Sequence, residues 1–251
     1  MIAVKNLCKS FNGTPVLKDI STIFETGKTN LIIGQSGSGK TVLLKCMLGL
    51  FTPDSGDICY DNRSYNEMVL KEKRHLRKEI GMLFQGGALF DSLSVENNIM
   101  FPLNMFTKKS FSDKLERVNT VLKRVNLENT NRKFPAELSG GMQKRVALAR
   151  AIVMNPKYLF CDEPNSGLDP KTAIVIDNLI HEITQEFNIT TVINSHDMNS
   201  VIEIGEKIVF LKDGVKAWEG DNKEILKTDN EVVTDFVYSS ELLKKVRKAY
   251  L

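Results

Sequence analysis

The sequence predicts a layered α/β fold with a helical lobe inserted in it, on three observations. The first is a set of short strand-like runs, KTNLII up to Ile33, YLFC at 158–161 and TTVIN at 190–194. They lack the alternation of a half-exposed strand and suit the buried strands of a parallel sheet. The second is the succession of strand, glycine loop and apolar helix between Gly27 and Leu50, an arrangement found at the centre of such folds. The third is residues 86–155, where strand signals are lacking and helical spacing recurs.

In chain order, KTNLII leads into GQSGSGKT, Gly34 to Thr41, which fits the P-loop pattern in full. The backbone N–H groups of Gly34, Gln35, Ser36, Gly37, Ser38 and Gly39 are expected to cradle phosphates, with Lys40 reaching the β and γ oxygens and Thr41 ligating Mg²⁺. VLLKCMLGL follows as a buried helix, and TPDSG at 52–56 as a turn. His75 stands in helical, charged surroundings and is assigned no role. Ile80 to Phe84 is a strand candidate that ends at Gln85.

Within the helical lobe, Ser110 and Asp113 form a capping pair ahead of Leu115, Val118, Leu122 and Val125 at helical spacing. ELSGGMQKR at 137–145 then sets Ser139, Gly140 and Gly141 in front of an Ala-rich helix closed by Pro156. Glycine amides at a helix N-terminus make a second anion site. One chain thus carries two phosphate-seeking loops about a hundred residues apart, the second outside the P-loop pattern.

YLFC ends on Asp162 and Glu163, at the strand end where open α/β sheets place ligands. Asp162 is a second Mg²⁺ partner or, read alone, a cap or turn residue. Glu163 is placed to take a proton from attacking water. Asp169 and Pro170 start a helix with Ile176, Leu179, Ile180 and Ile183 on one side; it also carries His181, assigned no role. TTVIN runs into Ser195 and His196, and His196 is read as a γ-phosphate contact. KIVFLK and VKAWEG flank Asp213-Gly214 as a hairpin.

Composition excludes several classes. At 251 residues and 42% hydrophobic content the chain can bury a substantial core, and a net charge of +3 is too small to make nucleic acid the main partner. Cys8, Cys46, Cys59 and Cys161 lack CxxC spacing and read as reduced, buried thiols of a cytosolic protein. MIAVKNLCKS lacks a signal-peptide core, and no stretch approaches the ~18 apolar residues of a membrane helix. The chain is expected to be soluble.

The ordered set of P-loop, Gln85, LSGGM, LFCDEP, SGLD and the late His196 resembles the nucleotide-binding subunits of ABC transporters over roughly residues 2–225. That resemblance implies an α/β P-loop ATPase core, residues 1–225, with an N-terminal antiparallel β portion, the helical lobe at 86–155 and a helical tail at 226–251. It implies ATP and Mg²⁺ as cofactors and a homodimer whose subunits face head to tail. The LSGGM loop of one copy, with Ser139, Gly140, Gly141 and Gln143, would cap the ATP held by Lys40 and the P-loop of the other. Gln85 would couple metal and water to the partner lobe, Glu163 and His196 would act in hydrolysis, and Asp169 would lie at the dimer seam. Phe11 would stack on adenine, although Tyr is commoner there and a core role is the alternative. Asn165 departs from the small residue usual at its position.

After Gln85, GGALFDSLSVENNIMFPLNMF supplies apolar side chains where this family docks short helices of a membrane permease, or else packs its own lobe. The wording LFQGGALFDSLSVENN looks like the ATPases of Mce-type lipid transport systems, including the Mla phospholipid pathway. It implies an Mce-domain envelope protein as partner and a place on the cytoplasmic face of the inner membrane. The tail SSELLKKVRKAYL reads as a basic amphipathic helix that packs on its own domain or its twin, or meets anionic lipid. Two further readings stand beside lipid transport: another ABC importer or exporter, and a soluble ABC ATPase of an assembly pathway such as iron–sulfur cluster biogenesis.

Overall fold

The computed structural model describes residues 1–238; the basic tail expected beyond Tyr238 lies outside the described residues. Two compact units are present among the described residues, one built from 1–68 together with 192–238, the other from 69–191.

The first unit opens with β1 (Ile2–Phe11), β2 (Thr14–Phe24), β3 (Thr29–Ile33), α1 (Lys40–Met47), β4 (Ser55–Tyr60) and β5 (Arg63–Ser64). β1 pairs antiparallel with both β2 and β4, Ile2 standing opposite Phe24 and Tyr60, in the order β2-β1-β4-β5. This is the antiparallel portion expected near the N-terminus. β3 is buried at all five positions, as its non-alternating sequence requires.

The second unit holds α2 (Leu70–Lys78), β6 (Ile80–Leu83), α3 (Val95–Phe106), α4 (Phe111–Arg124), α5 (Gly140–Ile152), β7 (Tyr158–Asp162), α6 (Pro170–Glu186) and the start of β8 (Thr190–Asn194). β6 and β7 pair in parallel with Leu83 opposite Cys161. α4 begins with the expected reciprocal cap: Ser110 Oγ accepts from the Asp113 amide, and the Ser110 amide donates to Asp113 Oδ2. Ile176, Leu179, Ile180 and Ile183 of α6 are buried. α5 ends at Ile152, four residues before the proline expected to close it. The chain has already left the helix there, since Asn155 takes a left-handed conformation with φ 52°, and a residue preceding proline is disfavoured in the α region in any case.

The chain then re-enters the first unit for α7 (Met198–Ile204), β9 (Lys207–Lys212), β10 (Val215–Gly220) and α8 (Glu231–Val237). β9 runs parallel to β3 and antiparallel to β10, making a mixed arrangement. Asp213 and Gly214 both have positive φ, 51° and 79°, as a two-residue hairpin turn demands. All four cysteines are free thiols. Cys46, Cys59 and Cys161 are buried, but Cys8 is only half-buried, because its strand twists through successive register shifts there.

Candidate functional site

In the first unit the phosphate loop is shaped by glycines with distinct duties. A Cβ on Gly34, φ 146°, would sit 2.1 Å from the Leu211 carbonyl oxygen, so only glycine lets the loop pass β9 so closely. Gly37, φ 81°, faces open space, leaving its backbone accessible from outside. Gly39 caps α1 in the left-handed region, with no side-chain cap and no acidic residue in the first turn. That helix start therefore keeps its positive character. Lys40 is 8% exposed, and its ammonium donates to the carbonyls of Gly34 and Gln35 at 2.8 and 2.9 Å. Gln35, Ser36 and Thr41 are exposed, while Ser38 is buried. The β9–β10 turn braces the loop: the Gly214 amide donates to the Ser38 carbonyl at 3.3 Å, and the Lys18 amide to the Gly214 carbonyl at 2.8 Å.

Phe11 ends β1 and is 38% exposed, so it is not a core side chain. Its ring meets Phe51 edge-on at 5.2 Å, with Lys9 Nζ 5.3 Å from its centroid. His196 is exposed just beyond β8, ahead of Asp197, whose carboxylate caps α7 through the Asn199 amide.

In the second unit the parallel pairing of β6 and β7 brings their carboxyl ends level. Gln85 and Glu163 each lie two residues past the paired Leu83 and Cys161, and Gln85 Nε2 donates to Glu163 Oε2 at 2.9 Å and to Ser166 Oγ at 3.5 Å. Glu163 has φ 47°, an uncommon conformation for a long side chain and one that clusters at functional positions. Asp162 and Glu163 are half-buried; Asn165 is buried, and its amide donates to Asp177 at 3.2 Å.

The second anion loop is Ser139 to Gln143. Ser139 Oγ caps α5 by accepting from the Met142 amide at 3.3 Å, and Ser139 and Gly140 are exposed. Gln143 turns inward instead: its side-chain amide donates to the carbonyls of Pro135 and Leu138 at 2.9 and 3.3 Å, which fixes the segment entering the loop. Gly141 is buried, and a Cβ there would meet Thr172 Cγ2 at 2.5 Å. Asp169 caps α6 through the amides of Lys171 and Thr172 at 3.1 Å and accepts from Thr172 Oγ1 at 2.5 Å. The Thr172 hydroxyl first, then its amide, holds this carboxyl below the usual range.

Two contributors escape sequence reasoning. Lys144, nine-tenths buried on α5, donates to the Gln85 carbonyl, and burial pushes its ammonium pKa down. Arg150 donates to the carbonyls of Gly87 and Ala88, each at 2.8 Å. Both sit in a helix whose Ala-rich composition announces only that it is helical. Next to them Phe84, Phe90, Phe101, Pro102 and Phe106 line an apolar groove of about 410 Å³.

The donor set offered for a metal is the Thr41 hydroxyl, the Gln85 amide and the Asp162 carboxylate, all able to present oxygen. Among the described residues no group of three or more His, Cys, Asp or Glu could hold an ion. A hard cation bound through few protein oxygens and shared with phosphate is the habit of Mg²⁺, and each unit offers oxygens of that kind, Thr41 in the first and Gln85 and Asp162 in the second.

The glycine cradle, the buried lysine and the Gln–Glu pair beside a parallel strand define a P-loop nucleotide hydrolase. The ABC transporter family profile matches residues 17–166, and the chain belongs to that family. It is 37% identical over 236 residues to the probable ribonucleotide transport ATP-binding protein mkl of Mycobacterium leprae, covering 94% of this chain and 68% of the relative. It is 38% identical over 244 residues to the methionine import ATP-binding protein MetN of Clostridium tetani, covering 97% and 76%. Among solved structures, the dimeric cassette MJ0796 superposes with a TM-score of 0.80 at 33% identity over 88% of this chain and 99% of that one. The cassette cbiO1 of Clostridium perfringens, part of the complex cbiONQ, gives 0.85 at 31% identity over 98% of each. The MJ0796 cassette is also known as a dimer in a post-hydrolysis state with ADP and Pi. The chain is accordingly an ATP-hydrolysing subunit of an ABC transporter that uses ATP and Mg²⁺. Among the described residues no helix is long and apolar enough to cross a membrane.

Proposed function

We propose that this chain is the motor of a lipid transporter, seated on the cytoplasmic face of the inner membrane and gripping its permease in the groove beside Gln85. The ATPase domain is taken as residues 1–225, with its helical lobe at 86–155 and a tail at 226–251. Gly34 to Gly39 cradle the phosphates, Lys40 neutralises the β and γ oxygens, and His196 contacts the γ-phosphate. Phe11 offers an exposed ring to adenine. Bound at Thr41, Gln85 and Asp162, Mg²⁺ would supply charge neutralisation on the transferring phosphoryl group. Gln85 orients the attacking water, and Glu163 accepts its proton. Ser139, Gly140 and Gly141, with Gln143 behind them, face the ATP of a second copy across a seam that includes Asp169.

The observation that carries the reading is the groove: half-exposed phenylalanine rings line it, and one of them, Phe84, immediately precedes the residue bonded to the Glu163 carboxylate. An amphipathic helix laid there would bury those rings and touch the catalytic segment at once. Lipid as cargo, with an Mce-domain envelope protein as partner, rests on the wording GGALFDSLSVENN. A second reading, import of a small polar solute, is favoured by relatives whose names are ribonucleotide transport and methionine import.

Affinity capture of the tagged chain from detergent-solubilised membranes tests both. A permease, an Mce-domain protein and co-purifying phospholipid are expected. A permease with a periplasmic or surface solute-binding protein in their place overturns the lipid reading, and capture of a soluble scaffold alone overturns transport.

A further inference from the structure

A lysine placed in a protein interior is expensive, because its charge leaves water and its three donors must be satisfied. Lys144 is 7% exposed, midway along the first half of α5, and its Nζ donates to the main-chain carbonyl of Gln85. The Gln85 side chain in turn donates through Nε2 to Glu163 Oε2 at 2.9 Å. The ammonium also lies within electrostatic reach of the Glu163 carboxylate. One turn further along α5, Ala147 approaches the same segment, a Cβ on Gly87 falling 3.6 Å from its own Cβ. Arg150 completes the attachment through the carbonyls of Gly87 and Ala88. The helix that begins with the Ser139–Gly141 loop thus holds the 85–88 segment by its carbonyl oxygens. Lys144 is the attachment at the residue bonded to Glu163.

We propose that Lys144 is a positioning residue for hydrolysis: by fixing the Gln85 carbonyl it sets where the Gln85 side chain stands against Glu163, and it links that pair rigidly to the helix carrying the Ser139 loop. The inference rests on the roles proposed for Gln85 and Glu163. A buried cation that serves only packing costs stability when an apolar side chain replaces it, because the carbonyl it capped is left unpaired, but turnover by the folded chain is unaffected. A cation that aims a catalytic group shows its loss in turnover.

The test is steady-state ATPase activity and thermal unfolding of the full chain as Lys144→Met and Lys144→Gln, with Glu163→Gln alongside. Lys144→Met is expected to lower the unfolding midpoint by no more than a few degrees, the charge removed from the interior offsetting the carbonyl left unpaired, to keep KM for ATP within about twofold, and to lose about tenfold in kcat. Lys144→Gln, which keeps a donor able to reach toward the carbonyl, is expected to recover to within about threefold of the parent. If Lys144→Met does not fold, Lys144→Ser, too short to reach, replaces it in the comparison. Parent-level kcat in the folded Met or Ser variant overturns the proposal, as does a Gln variant no faster than it. Retained turnover in Glu163→Gln instead overturns the reading of the Gln85–Glu163 pair, so the two failures are told apart.

Discussion

Glu163 shows how a single side chain is prepared by its backbone and its neighbour. Its left-handed φ of 47° costs of order 1 kcal/mol in a residue other than glycine, and the Gln85 amide at 2.9 Å accounts for one lone-pair direction of its carboxylate. Glu163→Gln preserves shape and can still accept that bond through its amide oxygen, so the substitution removes the base and little else. Turnover is expected to fall by about 10²- to 10⁴-fold with ATP affinity unchanged, as read by nucleotide titration beside a phosphate-release assay. Retained turnover would place the base at another residue. The sequence placed Glu163 at a strand end, but the partner 78 residues away became visible only with the pairing of β6 and β7. Lys144 was less legible still, since a lysine in a helix is ordinarily a solvated one. Gln143 was read as a nucleotide-side residue, and its side chain faces the carbonyls of Pro135 and Leu138.

Among elements, those whose burial pattern is simple were readable from the chain. β3, β7 and β8 are buried almost throughout, so their apolar runs had only one interpretation, and the α4 cap was spelled out by Ser110 and Asp113. β1 was not readable in the same way. Register shifts between Val4 and Leu7, and again before Lys9 and Ser10, break the alternation that would have announced it. α7 is a seven-residue helix with three buried positions, too short to establish a period. Gly141 illustrates a residue whose duty changes between levels. At the sequence level it is a bare amide for an anion, yet in the fold it is where α5 passes closest to Thr172 of α6. Gly141→Ala is expected to force these helices apart and destabilise the chain by about 1–3 kcal/mol, lowering the unfolding midpoint. Thr172→Ser removes the offending methyl while keeping the hydroxyl that donates to Asp169. The double variant should therefore regain most of the loss in a double-mutant cycle. Additive destabilisation would show that the contact is not the cause.

For the whole molecule, the two phosphate-seeking loops define the outstanding question of ownership. A P-loop with an uncapped helix start and an exposed Ser139 at the head of α5 are both suited to a triphosphate, and the dimeric relatives make a second copy the natural owner of one of them. On the reading proposed above, ATP joins two chains and hydrolysis releases them. In a Glu163→Gln background, ATP and Mg²⁺ should convert the chain from monomer to a dimer stable to size-exclusion chromatography with light scattering. Adding Ser139→Arg should abolish the dimer while leaving ATP binding by the monomer intact, but Arg also deletes a helix cap worth about 1 kcal/mol. Ser139→Asp removes that ambiguity. Aspartate is as good an N-cap as serine and favours the helix dipole, so the unfolding midpoint should hold. Its charge, however, would oppose the γ-phosphate of the partner's nucleotide across a distance where like charges repel strongly. Loss of the dimer in both variants, with unchanged melting in the Asp variant, assigns Ser139 to the neighbour's ATP. A Ser139→Asp chain that still dimerises on ATP would return the loop to a purely structural role and sink the shared-site reading.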